Sequence, residues 1–154
     1  MQYNGDNHGG GFMADNMTKE ERGKQMSLVK NKNTKPELEL KHLFWTLGYH
    51  YRYSNWNKLP GKPDLVFLKR KKVVFLHGCF WHRHPGCPNT RLPKSNIEFW
   101  ENKLLKNVLH DEQVYAELEQ LGWRYLIIWE CEMKKSNRAS LEERIHVFMD
   151  GDTV

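Results

Sequence analysis

The sequence lacks the features that would place the protein in a membrane or among secreted, disulfide-rich proteins. No stretch approaches the roughly 20 consecutive apolar residues that span a bilayer, and the first residues contain no apolar run of the secretory-signal type. Only three cysteines occur in 154 residues, which argues against a disulfide scaffold. No Gly-x-Ser-x-Gly sequence accompanies the run His8-Gly9-Gly10-Gly11, so a lipase-type site is excluded. These absences favour a cytoplasmic protein with reduced cysteines.

Basic residues are in excess. The chain has 24 Lys and Arg against 19 Asp and Glu, which gives a formal net charge of +5, and its mean hydropathy is −0.79. A basic soluble protein suits a polyanionic partner such as nucleic acid, and the six tryptophans offer surfaces on which bases can stack. The alternative is an inert basic surface with the tryptophans in the core.

The length fits one domain. Residues 1–16, rich in Asn, Gly and Asp, are predicted to form a flexible leader, and residues 17–154 a single domain. Local patterns predict helices over 19–30, 35–47, 97–121 and 141–149, and strands over 49–53, 64–68, 73–77 and 123–129. The predicted class is α/β, with a central mixed β-sheet flanked by helices.

Two local signals are specific. Thr34-Lys35-Pro36-Glu37 matches a capping box with proline in the first helical turn. The short basic join Lys69-Arg70-Lys71-Lys72 links two β-rich runs and predicts a hairpin with a solvated turn.

Cysteine and histidine are concentrated in one segment. Residues 77–87 read His-Gly-Cys-Phe-Trp-His-Arg-His-Pro-Gly-Cys, and Cys131 follows the last predicted strand. Such donors suit tetrahedral zinc. Five candidate ligands are present, one more than a structural site holds: Cys79, Cys87, Cys131, His82 and His84. One histidine is therefore left over as a candidate general base, and the spacing does not determine which of the two it is. His77 is a further candidate for a functional histidine at the end of its strand. The alternative is that these are unrelated loop residues.

Two carboxylates have both a functional and a structural explanation. Asp64 opens a predicted strand, where a carboxylate can hold a hard metal at a sheet edge, although an Asp that ends a turn is a common structural feature. The capping box explains Glu37, and its place in the first turn of a helix is compatible with facing a neighbouring strand end.

Together these motifs resemble those of the very-short-patch repair (Vsr) DNA mismatch endonucleases. The resemblance runs from about residue 20 to about residue 150, and the string Gly-Cys-Phe-Trp-His is its specific part. It rests on Pro63-Asp64, His77 through His82, Phe99-Trp100 and Trp129-Glu130-Cys131, with Lys24-Gln25-Met26 and Thr34 through Glu37 upstream. It implies a restriction-endonuclease-like fold with a structural zinc site, related to the PD-(D/E)XK nucleases. No (Asp/Glu)-x-Lys follows Asp64 on the next strand.

The resemblance also implies roles for individual residues. Asp64 and the backbone carbonyl of Leu76, where the family often has Thr, would bind catalytic Mg²⁺. His82 would activate water, with His77 and Glu37 completing the site.

The implied zinc ligands are Cys79, His84, Cys87 and Cys131. Two residues, Pro85 and Gly86, separate His84 from Cys87, where a well-known pattern has one. Glycine can absorb the extra residue because it adopts backbone conformations closed to other residues.

The resemblance further implies that Phe80, Trp81 and Trp100 wedge into the duplex beside a mismatch. Trp100 also lies on the apolar stripe of the helix predicted over 97–121, so a core position is the alternative. Lys103, Asn107, His110 and Asp111 form a polar face on that helix, suited to phosphate contacts, a hydrogen-bond network or simple solvation.

The implied activity is Mg²⁺-dependent nicking of one DNA strand at T:G mismatches that arise when 5-methylcytosine deaminates. The implied partners are double-stranded DNA, mismatch-repair proteins and a cognate DNA cytosine methyltransferase. The enzyme is expected to be a monomer that does not act at a membrane. Two alternatives are a restriction-type nuclease without mismatch preference and a zinc-ordered DNA-binding module without chemistry.

Overall fold

The computed structural model describes residues 34–151, so the predictions for the leader (1–16) and for the helix over 19–30 lie outside the described residues. The described chain forms helices α1 (Lys35–Thr46), α2 (Ile97–Gln120) and α3 (Arg138–Asp150). Its strands are β1 (Tyr53–Ser54), β2 (Leu65–Phe67), β3 (Lys72–His77) and β4 (Arg124–Trp129). Short 3-10 turns span Pro88–Thr90, Glu130–Met133 and Lys135–Asn137. None of the helices between residues 34 and 151 has the length and apolar character that crossing a membrane requires.

The four strands form one mixed sheet in the order β1-β2-β3-β4. The β1–β2 and β2–β3 pairs are antiparallel and the β3–β4 pair is parallel, which confirms the predicted class and the predicted hairpin. Because β2 runs opposite to β3 and β4, its start lies at the same sheet edge as their ends. Asp64, His77 and Glu130 therefore meet at one edge.

Helices cover both faces of the sheet. Alternate strand residues point to opposite faces, and they divide between two hydrophobic clusters. Leu65 and Val74 pack on one face with side chains of α1 and α3, whereas Val66 and Val73 pack on the other with Val114 and Leu118 of α2. The three layers leave the sheet edge at Asp64 between α1 and α2.

The strand predicted over 49–53 is wrong for most of its length, because β1 contains only Tyr53 and Ser54. Tyr49 instead closes α1, donating its backbone N–H to the Phe44 carbonyl at 2.9 Å. Its hydroxyl lies 2.7 Å from His146 Nδ1 and donates to Asp150 Oδ2 at 2.8 Å. Tyr49 therefore packs against α3, whereas Tyr53 is the aromatic residue that takes part in strand pairing, opposite Val66.

Lys69, Arg70 and Lys71 of the basic join are exposed as predicted, although Arg70 also donates to the Met149 carbonyl at 2.8 Å. Lys72, in contrast, is 2% exposed and begins β3. Its ammonium donates to the carbonyls of Phe148 at 2.7 Å and Met149 at 3.0 Å. These carbonyls end α3, where the helix dipole is negative and a cation is stabilising. A buried position is tolerated because the charge is hydrogen-bonded.

Candidate active site and metal centre

A cleft of about 290 Å³ opens at the sheet edge where β2 begins and β3 and β4 end. Every residue for which the family resemblance implies a catalytic role lines it: Glu37, Asp64, Leu76, His77 and His82. The carboxylates of Asp111 and Glu130 also line the cleft. The structure therefore brings together residues that lie up to 93 positions apart in the sequence, from Glu37 to Glu130.

Asp64 is held by the hairpin on which it stands. Its backbone N–H donates to the Val74 carbonyl at 3.0 Å, and its carboxylate Oδ2 accepts the Leu76 N–H at 2.7 Å. Burial raises the pKa of Asp64 to about 7; the Leu76 N–H opposes this rise and the Glu37 charge adds to it. A nearby cation would favour the charged form of this carboxyl group.

The oxygen donors around Asp64 fit Mg²⁺. The Val74 carbonyl and the Leu76 N–H both face Asp64. In a β-strand the backbone N–H and C=O groups of residues two positions apart point to the same side. The Leu76 carbonyl is therefore directed to the same side as the Asp64 carboxylate. Glu37 Oε2 accepts a hydrogen bond from Asn55 Nδ2 at 3.2 Å nearby. Carboxylate and main-chain carbonyl oxygens are the ligands that Mg²⁺ prefers.

The first turn of α1 positions Glu37. Thr34 is the N-cap, and its hydroxyl accepts the Glu37 backbone N–H at 3.4 Å, which is the N-cap half of the predicted capping box. The Glu37 side chain is 8% exposed and lies beside Asp64 closely enough to raise the pKa of that carboxyl group. The capping position and the place in the cleft are thus compatible, as the sequence allowed.

His82 is oriented by a carboxylate from α2. Its Nδ1 lies 2.6 Å from Asp111 Oδ2. An ionised carboxylate can only accept, so Nδ1 donates in this hydrogen bond, and in the neutral form of the ring Nε2 is the proton acceptor. The ring stacks on His77 at 3.7 Å between centroids. Burial and the neighbouring His82 hold the pKa of His77 well below its ordinary value, so His77 is neutral. A histidine oriented by a carboxylate is the arrangement of a general base.

The sequence placed Asp111 on the polar face of α2 without a catalytic role, and it indicated no role for Tyr115 in the site. Tyr115 places its hydroxyl 3.4 Å from His77 Nδ1, while burial, and after it the Asp111 charge, raise the pKa of this phenol. The available signal was spacing: Asn107 and Asp111 are four residues apart and share one face of α2. Asn107 uses that face to donate to the Trp81 carbonyl at 3.1 Å. Asn107 and Asp111 thus form hydrogen bonds that support the loop after β3, whereas Lys103 and His110 of the predicted polar face are exposed.

The four residues expected to bind zinc form one cluster. The ligand atoms of Cys79, His84, Cys87 and Cys131 all lie within 4.8 Å of one another. The extra residue between His84 and Cys87 is accommodated at Gly86, whose φ is 73°. Because the left-handed region is open to glycine at little cost, the Cys87 thiol reaches the other three donors.

The chemistry of the donors in this cluster fits zinc. In a tetrahedral site with Zn–S bonds of about 2.3 Å, neighbouring sulfur atoms lie roughly 3.8 Å apart, which is the scale of this cluster. The Cys131 Sγ to His84 Nδ1 distance is 3.5 Å. Burial raises the pKa of Cys79 to about 12, and the neighbouring Cys131 and Cys87 add to the rise. A bound cation would reverse this effect because thiolate is the form that ligates.

The three aromatic residues expected to contact DNA form a partly exposed cluster beside the cleft. Ring centroids of Phe80 lie 5.2 Å from Trp81 and 5.7 Å from Trp100, and those of the two tryptophans are 6.0 Å apart. Trp100 belongs to neither hydrophobic core cluster, so the core alternative is not supported. Phe99, in contact with Trp100 at 5.3 Å, extends the cluster and is 58% exposed.

Comparison with known proteins identifies the family. The family of the DNA mismatch endonuclease Vsr matches residues 14–88. The type II nicking enzyme V.XorIIP of Xanthomonas oryzae pv. oryzae is 40% identical over 138 residues, covering 90% of this chain and 98% of that protein. The type II nicking enzyme V.NmeAIP of Neisseria meningitidis serogroup A is 40% identical over 134 residues, 87% of this chain and 93% of that protein. The DNA mismatch endonuclease Vsr of Escherichia coli (strain K12) is 37% identical over 143 residues, 91% of this chain and 90% of that protein. The chain is therefore a member of the Vsr family of DNA endonucleases.

Proposed function

We propose that the protein is a Mg²⁺-dependent endonuclease, with a zinc-stabilised restriction-endonuclease-like fold, that nicks one strand of duplex DNA at a T:G mismatch. The observation that carries the proposal is the loop after β3. Within it, His82 enters the cleft, the two preceding aromatic residues join the partly exposed aromatic cluster, and Cys79, His84 and Cys87 join the thiol–imidazole cluster. One segment thus couples the candidate base, wedge and zinc site.

The cleft residues suit hydrolysis of a phosphodiester. His82 Nε2 takes a proton from a water molecule whose oxygen attacks phosphorus, and the P–O bond to the departing deoxyribose oxygen breaks. The Asp111 carboxylate holds the His82 ring and stabilises the imidazolium that forms. Asp64 and the Leu76 carbonyl would hold Mg²⁺, which supplies charge stabilisation at the phosphate when bound.

The aromatic cluster suits selection of a mismatch. Inserting apolar side chains between base steps costs a few kcal/mol of stacking, and a mispaired step lowers that cost. Trp81 immediately precedes the candidate base, and its carbonyl is held by Asn107 at 3.1 Å. Insertion at this position would therefore act directly on the placement of the scissile phosphate.

Nicking assays on T:G and matched duplexes of the same sequence test the activity. With Mg²⁺, the parent protein should nick the T:G duplex, whereas Asp64→Ala and His82→Ala should be inactive with zinc content unchanged. His84→Ala is the matched control, because it removes the other histidine of the loop and should lose zinc. Loss of zinc in His82→Ala with retention in His84→Ala would overturn the assignment of the two histidines.

The tryptophan wedge is tested by selectivity. Base stacking on an aromatic side chain is worth about 1–3 kcal/mol. The preference of Trp81→Ala for T:G over matched DNA should therefore be up to roughly a hundredfold smaller than that of the parent. Trp45→Ala is the control, because Trp45 is 55% exposed but lies at the end of α1 away from the cleft. Salt-dependent binding to any duplex should persist in both variants. An unchanged T:G preference in Trp81→Ala contradicts the wedge.

A second candidate function has support from the relatives. The names of V.XorIIP and V.NmeAIP describe nicking without stating a mismatch. A strand-nicking enzyme without mismatch preference would use the same cleft chemistry. Equal nicking of matched and T:G duplexes by the parent protein would establish this second function in place of the first.

A further inference from the structure

The turn that leads into Asp64 holds a lysine in an uncommon backbone conformation at the cleft. Lys62 has a φ of 50° and follows Gly61, whose φ is 78°. The Lys62 backbone N–H donates to the Leu59 carbonyl at 3.3 Å, which closes the turn. Left-handed backbone is unfavourable for a residue with a side chain, so this placement is maintained against a local preference.

The turn is fixed against both neighbouring layers. A Cβ atom on Gly61 would lie 2.6 Å from Val114 Cγ1 of α2 and 3.1 Å from the Phe75 ring of β3. Only glycine allows so close an approach, and any larger residue would push the turn outward. The next residue, Lys62, is thereby held at the wall of the cleft, between the sheet edge and α2.

The charge of the cleft gives this lysine a role. Four carboxylates line the cleft: Glu37, Asp64, Asp111 and Glu130. Lys62 is the only lysine or arginine among the described residues that line it. The Lys41 charge on α1 also acts on Asp64, whose pKa it lowers, but Lys41 does not line the cleft. A phosphodiester with one negative charge is repelled by such a cleft unless cationic groups compensate. Because Lys62 is exposed, its ammonium remains hydrated and mobile enough to reach a phosphate at the opening.

We propose that Lys62 is a substrate-binding residue whose ammonium contacts a phosphate oxygen at or next to the scissile position. The proposal rests on the endonuclease function above.

Lys71 provides a matched control. It too is exposed, has a φ of 55° and donates its backbone N–H at 3.3 Å to the carbonyl three residues earlier, that of Leu68. It lies at the other end of the β2–β3 hairpin, since Phe67 pairs with Lys72 there while Leu65 pairs with Val74 towards the cleft. Asn tolerates left-handed backbone, so Lys62→Asn and Lys71→Asn each remove one charge without added strain.

The experiment measures nicking of a T:G duplex with Mg²⁺, and duplex binding without divalent metal as a function of salt. Lys62→Asn should lower kcat/KM about 10- to 100-fold and should reduce the slope of log K against log salt by about one. Lys71→Asn should match the parent in both measurements, and Lys62→Arg should restore most of the kcat/KM.

Equal behaviour of the two Asn variants, with the parent active, would overturn the role of Lys62 and leave the proposed function intact. Low activity of Lys62→Arg, comparable to that of Lys62→Asn, would also overturn the role. Arginine keeps the positive charge, so a residue that acts through a charge contact with phosphate should tolerate this exchange. If the parent nicks no duplex, the proposed function fails, whereas the salt slope still decides whether Lys62 contacts phosphate.

Discussion

Asp64 carries an electrostatic cost that Asp64→Asn should remove. Its pKa of about 7 lies well above the ordinary value of 3.8, chiefly because of burial, and the Glu37 charge contributes. A raised pKa in the folded state means that folding favours the protonated form, so stability is lost as the pH rises from 3.8 towards 7. Asparagine cannot ionise, and its amide oxygen can still accept the Leu76 N–H. We therefore expect the variant to be more stable than the parent at neutral pH and inactive in nicking.

The size of the effect follows from the two pKa values. From pH 5 to pH 7 the parent loses about 1.36 kcal/mol for each pH unit, about 2.7 kcal/mol in all. Asp64 is only partly buried, and solvent screening reduces this figure to about 1–2 kcal/mol. The stability advantage of Asp64→Asn should accordingly grow by about 1–2 kcal/mol between pH 5 and pH 8.

Urea unfolding followed by tryptophan fluorescence, without divalent metal, measures this difference at the two pH values. Glu39→Gln, at an exposed carboxylate on α1, should show no such pH-dependent gain. Adding Mg²⁺ at pH 8 should stabilise the parent but not Asp64→Asn, because the cation binds the charged carboxylate. A gap between Asp64→Asn and the parent that is equal at both pH values, or a less stable variant at pH 8, would refute the reasoning.

Three further predictions concern other parts of the molecule. Asp111→Asn should lower kcat for nicking roughly 10²- to 10⁴-fold, the scale of such changes beside other catalytic histidines. Its zinc content should be unchanged, and activity within threefold of the parent would contradict the orienting role. Lys72→Met should lower the free energy of unfolding by about 2–4 kcal/mol, because the Phe148 carbonyl loses its charged donor, while the Met149 carbonyl keeps the Arg70 guanidinium. Urea titration measures this change, and an unchanged midpoint would show that water replaces the ammonium. Cys131→Ala should lose zinc and unfold at a lower temperature than the parent, since binding energy at a structural site is folding energy. Metal analysis and thermal unfolding measure the two effects. A parent protein that is folded, active and free of zinc would rule out the zinc site.

The local sequence determined the elements and the residue types of the site. Thr34 through Glu37 predicts the start of α1, because the N-cap interaction lies within four residues. The β2–β3 hairpin follows from two short apolar runs with a basic join. The segment from His77 to Cys87, with Cys131, indicated a metal site and one surplus histidine from the count of donors alone. Each of these signals is complete within a short stretch of chain.

The tertiary structure decided which side chains meet, because that depends on packing between distant elements. The sequence left open which histidine joins the thiols; α2 decides it, because Asp111 holds His82 in the cleft at 2.6 Å while His84 lies 3.5 Å from Cys131. A basic turn gave no sign that Lys72 is buried, since its partners are carbonyls 76 and 77 residues later. The residue types along the chain determine what each side chain can do chemically. The packing of α1, the sheet and α2 determines which of these side chains lie close enough to act together.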